Sequence, residues 1–256
     1  MSCPVLIALV LSLGMACDAA ATSFDFVTTI DGAHPYTYQG RMTISNTFCR
    51  VDVTRGIHPL FNPDYSIISQ RNGRVILVLD HRQKTYFSRE TNGMNGPLST
   101  VRGFARSTAS NAAIRIRSEG AATDPGESRR TLRYSIHITY DLEIVVDGER
   151  FPASVDISGS LWTVEGPPQT ALPWGMQFAA KTGFPDIDLA TARKMPHEVP
   201  VRQLITVTRR IGDGPPVTET MTTTTSNLSD APPPPEIFGA PPDYKSREPN
   251  FNFGGP

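Results

Sequence analysis

The chain has 256 residues and a formal net charge of −1, from 24 Lys and Arg against 25 Asp and Glu; this balance argues against nucleic-acid binding, where phosphate neutralisation calls for a basic surplus. Gly (20) and Pro (23) together make about one residue in six, above the usual share of roughly 12%, and there are 26 Thr, so a bundle of long helices is not expected. An apolar share of 39% argues against a wholly disordered chain.

Residues 1–21 read as a signal peptide. Val5 to Met15 is an apolar run broken only by Ser12 and Gly14, of h-region length and too short to span a bilayer, and Ala19-Ala20-Ala21 places small residues for cleavage after Ala21. No Lys or Arg precedes the run. Lipidation at Cys17 is the minor alternative, because Gly14 stands where a lipoprotein signal carries an aliphatic residue. Cys3 and Cys17 leave with the leader, and Cys49 then has no disulfide partner and reads as a buried structural thiol. No later segment has the length of an apolar membrane span.

The mature chain reads as strands. Phe24–Asp31 comes first, and Ser45-Asn46 suggests a hairpin whose opposed residues sum to 91, setting Met42 against Cys49. Asn72-Gly73 joins Tyr65–Gln70 to Arg74–Leu79, and the unbroken apolar run Val75–Leu79 predicts a strand covered on both faces. Asp80 to Lys84 turns the chain into Thr85-Tyr86-Phe87. Thr91 to Ser110 and Gly120 to Glu127 read as loops, with a strand at Ala112–Ser118 between them.

The clearest signal is Leu132 to Val146. Leu132, Tyr134, Ile136, Ile138, Tyr140, Leu142, Ile144 and Val146 hold every even position, and only Val145 breaks the polar alternation between them. Asp147-Gly148 is the favoured pair for a type I′ turn, which sets opposed residues to sum to 295: Ile144 with Phe151, Tyr140 with Val155, Ile138 with Ile157. The return strand carries its apolar residues at the odd positions this register demands. Trp162 and Val164 fall out of phase, which suggests a bulge near Gly159.

Gly166 to Pro185 is a Pro- and Gly-rich loop holding Trp174, Met176 and Phe178. Ile187 to Met195 fits two helical turns, with Asp186 as cap and Pro196 as stop. Strands are expected at Val201–Arg210 and Val217–Ser226. From Ala231, Pro232 to Pro235 form a polyproline stretch that Ile237 and Phe238 anchor, and Lys245 to Pro256 reads as disordered. The expected division is therefore a leader (1–21), one β domain (22–230) and a proline-rich, largely disordered tail (231–256).

Chemistry-bearing motifs are sparse. His34, His58, His81, His137 and His197 have no metal-ligand spacing, and no nucleophile elbow, Walker loop or dinucleotide fingerprint is present. Gly212-Asp213-Gly214 lacks a following helix, and Asp141 and Glu143 share a strand face as solvated carboxylates do. Asn227-Leu228-Ser229 fits a glycosylation sequon. No catalytic residue, cofactor or metal site is expected.

An ordered series of landmarks carries a resemblance. Tyr38-Gln39-Gly40-Arg41-Met42, Cys49-Arg50-Val51-Asp52-Val53, Ser66-Ile67-Ile68-Ser69, Lys84-Thr85-Tyr86-Phe87, Tyr140-Asp141-Leu142, Trp162, Thr182-Gly183-Phe184-Pro185, Val201-Arg202-Gln203-Leu204 and Pro241-Pro242-Asp243-Tyr244-Lys245 follow in turn. Together they resemble an uncharacterised group of exported bacterial proteins similar to the periplasmic lipoprotein-carrier-like (LolA-like and RseB-like) domains. Such relatives often carry a Gly-x-Pro-Thr turn before the long tyrosine-rich strand, where this chain has Asp124-Pro125-Gly126-Glu127. The resemblance implies a mainly β fold: one strongly curved antiparallel sheet, a half-barrel, with long loops and at most one or two short helices. It also implies a non-catalytic periplasmic or secreted protein that binds a lipid, acyl chain or other hydrophobic small molecule in the concavity. The candidate lining is Tyr134, Ile136, Ile138, Tyr140, Leu142, Ile144, Phe151, Val155 and Ile157. The other readings are an envelope-sensing module that binds a protein partner with a packed interior, and a hydrolase of unrecognised type.

Overall fold

The computed structural model describes residues 21–45, 48–56, 63–70, 75–90, 105–123, 130–165, 184–196 and 198–248. The leader up to residue 20, most of the Gly166–Pro185 loop and the last eight residues lie outside them.

Among the described residues twelve strands form one open, curved sheet. The first meander is β1 (Ala21–Asp31), β2 (Tyr36–Ser45), β3 (Cys49–Gly56), β4 (Tyr65–Gln70), β5 (Val75–Asp80) and β6 (Thr85–Glu90). The second is β7 (Ala105–Ala122), β8 (Thr131–Val146), β9 (Glu149–Val164), β10 (Val199–Ile211) and β11 (Val217–Ser229). Pairing of β1 with β11 joins the two, and all of these ladders are antiparallel. A two-residue strand, β12 (Lys245–Ser246), adds in parallel to the β6 edge. Among the described residues one α-helix, α1 (Pro185–Ala192), packs on the inner face of the sheet, the face that carries Ile136 and Ile157.

The long hairpin has the register its turn requires. Ile144 faces Phe151, Leu142 faces Ala153, Tyr140 faces Val155 and Ile138 faces Ile157. Asp147 (φ 51°) and Gly148 (φ 87°) supply the two left-handed residues of a type I′ turn. The β5 run is covered on both sides: Ile76 and Val78 pack with Ile67, while Leu77 and Leu79 pack with Ile68 and Phe238 on the outer face.

Other local expectations need correction. The β2–β3 turn closes one residue later than Ser45-Asn46: Ser45 N donates to Phe48 O at 2.8 Å, and Cys49 faces Ile44 rather than Met42. The shift is by two, so every side chain keeps its face. The β8–β9 ladder runs past Gly159 without a bulge, and the irregularity lies in β10 between Pro200 and Arg202. Trp162 is out of phase because it faces outward, between the guanidinium groups of Arg133 (5.3 Å) and Arg202 (5.1 Å). Ala105 to Ser110, read as loop, belongs to β7, and Gly120 to Ala122 ends that strand. The helix begins at Pro185, whose fixed φ suits a first helical position, and stops at Ala192.

Two glycines mark close approaches along the sheet. A Cβ at Gly40 would stand 2.8 Å from the Phe26 ring and 2.2 Å from the Asp52 carbonyl oxygen. One at Gly159 would stand 2.0 Å from the Leu204 carbonyl oxygen and 2.9 Å from Ile205 Cδ1. At each position a side chain from the next strand lies over the bare backbone.

The tail is also more ordered than its composition suggests. From Ser229, paired with Ser23, the chain crosses to β3, three strand spacings of about 4.8 Å. Asp230 to Pro234, extended at roughly 3.1 Å per residue, matches that span. A 3₁₀ turn (Pro235–Phe238) then seats Phe238, 8% exposed, against the Phe48 ring at 5.3 Å. Arg50 donates to Ile237 O and Gln70 to Phe238 O, both at 2.8 Å. Lys245 N to Lys84 O (3.0 Å) and Arg247 N to Tyr86 O (2.9 Å) complete the strap.

Candidate functional site

The nine residues proposed from the sequence all lie on the inner face of β8 and β9, because alternation and turn register agree there. Helix α1 divides them in two. Ile136, Ile138, Tyr140, Val155 and Ile157 are buried with Leu161 and Ile205, and Ile187 of α1 joins the same cluster. Phe184, just before the helix, sets its ring edge-on to Tyr140 at 5.8 Å. Burial pushes the Tyr140 hydroxyl up to about 12, with Arg209 opposing and Asp188 of α1 adding to the shift. Lys194, past the helix, donates to Ile114 O at 2.7 Å and ties the segment to β7.

Leu142, Ile144 and Phe151 lie beyond this covered part, toward the hairpin tip. Leu142 and Ile144 are half-buried and Phe151 is 38% exposed. Register adds two residues that sequence reasoning missed, Ile211 and Val217, to Val146, which the alternation of β8 already places on this face. Val146 is 37% exposed at the end of β8; Ile211 (56%) faces Ala153; Val217 (50%) faces Arg209. All share the inner face, so two neighbouring hairpin tips present a run of exposed apolar side chains that leads to the α1-covered cluster. Ile211 and Val217 flank the Gly212–Pro216 turn, a signal that acquires meaning only once β9 and β10 are known to pair. Tyr134, at the other end of β8, donates its hydroxyl to Glu198 Oε1 at 3.0 Å.

The outer face carries a different constellation. His81 Nδ1 lies 2.6 Å from the Tyr244 hydroxyl, and its Nε2 contacts the Ser66 hydroxyl, which in turn contacts Asp52 Oδ1. Arg50 closes on Asp52 through Nε (2.9 Å) and Nη2 (2.8 Å), and Nη2 also reaches Ser66 Oγ at 3.1 Å. One assignment of protons satisfies every group: Tyr244 donates to Nδ1, Nε2–H to Ser66, and Ser66 to Asp52. Ser66 then gives its proton to a carboxylate and receives from both His81 and Arg50, and it is fully buried. That is the reverse of an activated nucleophile, whose proton passes to the imidazole. The relay works as a clasp for the strap.

The carboxylates noted in β8 have separate partners: Asp141 accepts from Asn111 Nδ2 at 2.8 Å and Glu143 from Arg150 at 3.2 Å. Among the described residues no group of three His, Cys, Asp or Glu is placed to hold a metal ion, and no helix is long and apolar enough to cross a membrane.

No family profile matches the chain, and no curated protein matches it in sequence. Solved structures do. An uncharacterised conserved protein from Thermus thermophilus aligns over 87% of this chain and 89% of its own, with 8% identity and a TM-score of 0.35. A LolA superfamily protein from Nitrosomonas europaea aligns over 86% and 90%, with 9% identity and a TM-score of 0.32. A DUF1329 family protein from Desulfovibrio piger aligns over 86% and 90%, with 9% identity and a TM-score of 0.31. The resemblance to LolA-like proteins read from the sequence is thus met among solved structures as well. At these TM-scores it is a likeness of general outline, and the functional reading rests on this chain's own side chains.

Proposed function

We propose that this is an exported, non-catalytic protein that holds the apolar part of a lipid, an acyl chain or another hydrophobic ligand against the inner face of its sheet. One observation carries the reading: Val146, Phe151, Ile211 and Val217 stand exposed on the face whose continuation is the buried cluster under α1. Covering a large apolar side chain is worth about 1.5–3 kcal/mol, so an exposed group of four is a costly arrangement unless something covers it. The leader-like residues 1–21 support export to the periplasm or beyond. Helix α1 is the cover that a ligand chain would slide beneath or displace. Capture of an envelope protein through the proline-rich tail draws less support, because residues 235–247 are already engaged by the chain's own sheet.

The test is uptake of a phenylnaphthylamine dye by the mature protein, with lipid analysis of natively purified material. Saturable uptake is expected, weakened by Phe151→Asp and by Ile211→Asp with the fold intact by circular dichroism. No uptake together with no co-purifying lipid removes the reading.

A further inference from the structure

We propose that the ligand is an acyl amphiphile carrying a hydroxyl or amide N–H, and that Gln203 is the residue that reads this donor. The inference rests on the ligand-binding reading above and narrows it to a chemical class.

The inner face is not uniformly greasy. A polar row crosses it from β8 to β2. Tyr134 faces Leu161, Leu161 faces Gln203, Gln203 faces Thr223, Thr223 faces Thr28, and Thr28 faces Tyr38. Most of this row is internally paired. The Thr28 and Thr223 hydroxyls meet at 2.9 Å, and Tyr134 donates to Glu198 Oε1. Gln203 is the exception. It is 2% exposed, and its Oε1 has no hydrogen-bond partner among the described residues.

Other atoms around the row share that state. Thr163, two residues along β9 from Leu161, has an unpartnered Oγ1 at 0% exposure. Glu198, already bonded to Tyr134 through Oε1, leaves Oε2 buried and unpartnered. Buried polar atoms without partners are rare in native proteins, because each forgoes the hydrogen bonds it made with water. Three of them around Leu161, where the end of β9 meets the start of β10, call for a partner that the described residues do not supply.

The type of atom tells the type of partner. The Gln203 and Glu198 oxygens only accept, so they call for a donor, while the Thr163 hydroxyl can meet either kind of group. An alkane, an ester or an ether has none to give. A hydroxyl or an amide N–H does, and a site built to bond such a group rejects the analogue lacking it, because its own acceptors are then left dry. Leu or Met at position 203 would serve a hydrocarbon better.

The experiment compares two competitors of equal chain length, dodecanoyl ethanolamide and methyl dodecanoate, as each displaces phenylnaphthylamine from the mature protein. The ethanolamide is expected to displace at a concentration about tenfold lower or less, the ratio that one well-made buried hydrogen bond supplies. Gln203→Met is expected to bring the two together by weakening the ethanolamide alone, with dye uptake retained. Gln203→Leu reads the same discrimination should the Met variant not fold. Equal displacement by both compounds in the wild-type chain, or a preference that survives the substitutions, overturns the assignment while leaving hydrophobic binding in place. Failure of the dye and of both compounds to bind overturns the parent reading and this one with it.

Discussion

The Tyr244 hydroxyl meets Nδ1 of His81 at 2.6 Å across 163 positions of sequence, and with the Lys84–Asp243 ion pair at 2.8 Å it fastens the C-terminal strap to the turn after β5. Replacement by Phe keeps the ring and removes the bond, so the expected loss is about 1 kcal/mol. Phe238→Ala removes the buried anchor, a change worth about 3–5 kcal/mol in a fixed core. Here the loss is capped by the docking free energy of the strap itself, because a strap that peels away leaves the sheet standing. Both variants should therefore show protease cleavage and amide exchange within 231–248 well before any shift in global melting. Simultaneous loss of strap and sheet protection would mean that the strap is part of the cooperative core.

The long hairpin was legible in the sequence because two independent signals agree there: alternation over Leu132–Val146 and the Asp147-Gly148 turn each demand the same pairing. The candidate lining on β8 and β9 follows from that agreement. Ile211 and Val217 were not legible as part of it, since they reach the site only through the β9–β10 and β10–β11 ladders. Ala105–Ser110 looks like loop in the sequence because small polar residues carry no strand signal of their own; pairing with Asp141–Val146 makes them a strand. Trp162 imitated a phase slip because an outward aromatic clamped by two arginines looks, in one dimension, like an inward one. The strap was hidden for a related reason. Its composition is that of a spacer, and its anchors are single side chains that find partners more than 150 positions away.

Glycines at the close approaches and at the turns should differ sharply in tolerance. Gly159→Ala drives a Cβ toward the Leu204 carbonyl, which is backbone, so β9 and β10 must separate locally; a loss of about 3 kcal/mol or more is expected. Gly148→Ala meets open space but keeps a φ of 87°, which costs roughly 1–2 kcal/mol. Urea unfolding of the two variants should preserve this order. An Ala at 159 as well tolerated as one at 148 would contradict the packing of Ile205 over that glycine.

Helix α1 is short enough to be unstable alone, so its place depends on what Ile187 buries. Ile187→Ala is expected to cost at most about 2–4 kcal/mol, less if the helix simply lifts from the sheet. Lifting uncovers Ile136, Ile138 and Ile157, so dye fluorescence should rise in the variant even as the melting temperature falls. Unchanged dye uptake with a lowered melting temperature would identify α1 as fixed core rather than as a movable cover.

Alkaline pH should weaken the fold in a way that a single thiol reports. Cys49 is 1% exposed, and burial pushes its thiol up to about 12. The neutral form is favoured in the folded state, so the unfolded chain loses this proton first. The contribution of the group is complete below its unfolded value of about 8.5 and is lost as pH climbs toward the folded one, at about 1.4 kcal/mol per pH unit. Tyr140, raised for the same reason, adds to the decline above about pH 10. Urea midpoints measured from about pH 8 upward should therefore fall with a slope that is shallower in Cys49→Ala than in the wild-type chain. The variant also leaves a small void, which lowers stability at every pH and does not tilt the line. Parallel lines for the two proteins would mean that the thiol ionises as readily in the folded state as in the unfolded one, and the burial of Cys49 between β2 and β4 would have to be abandoned.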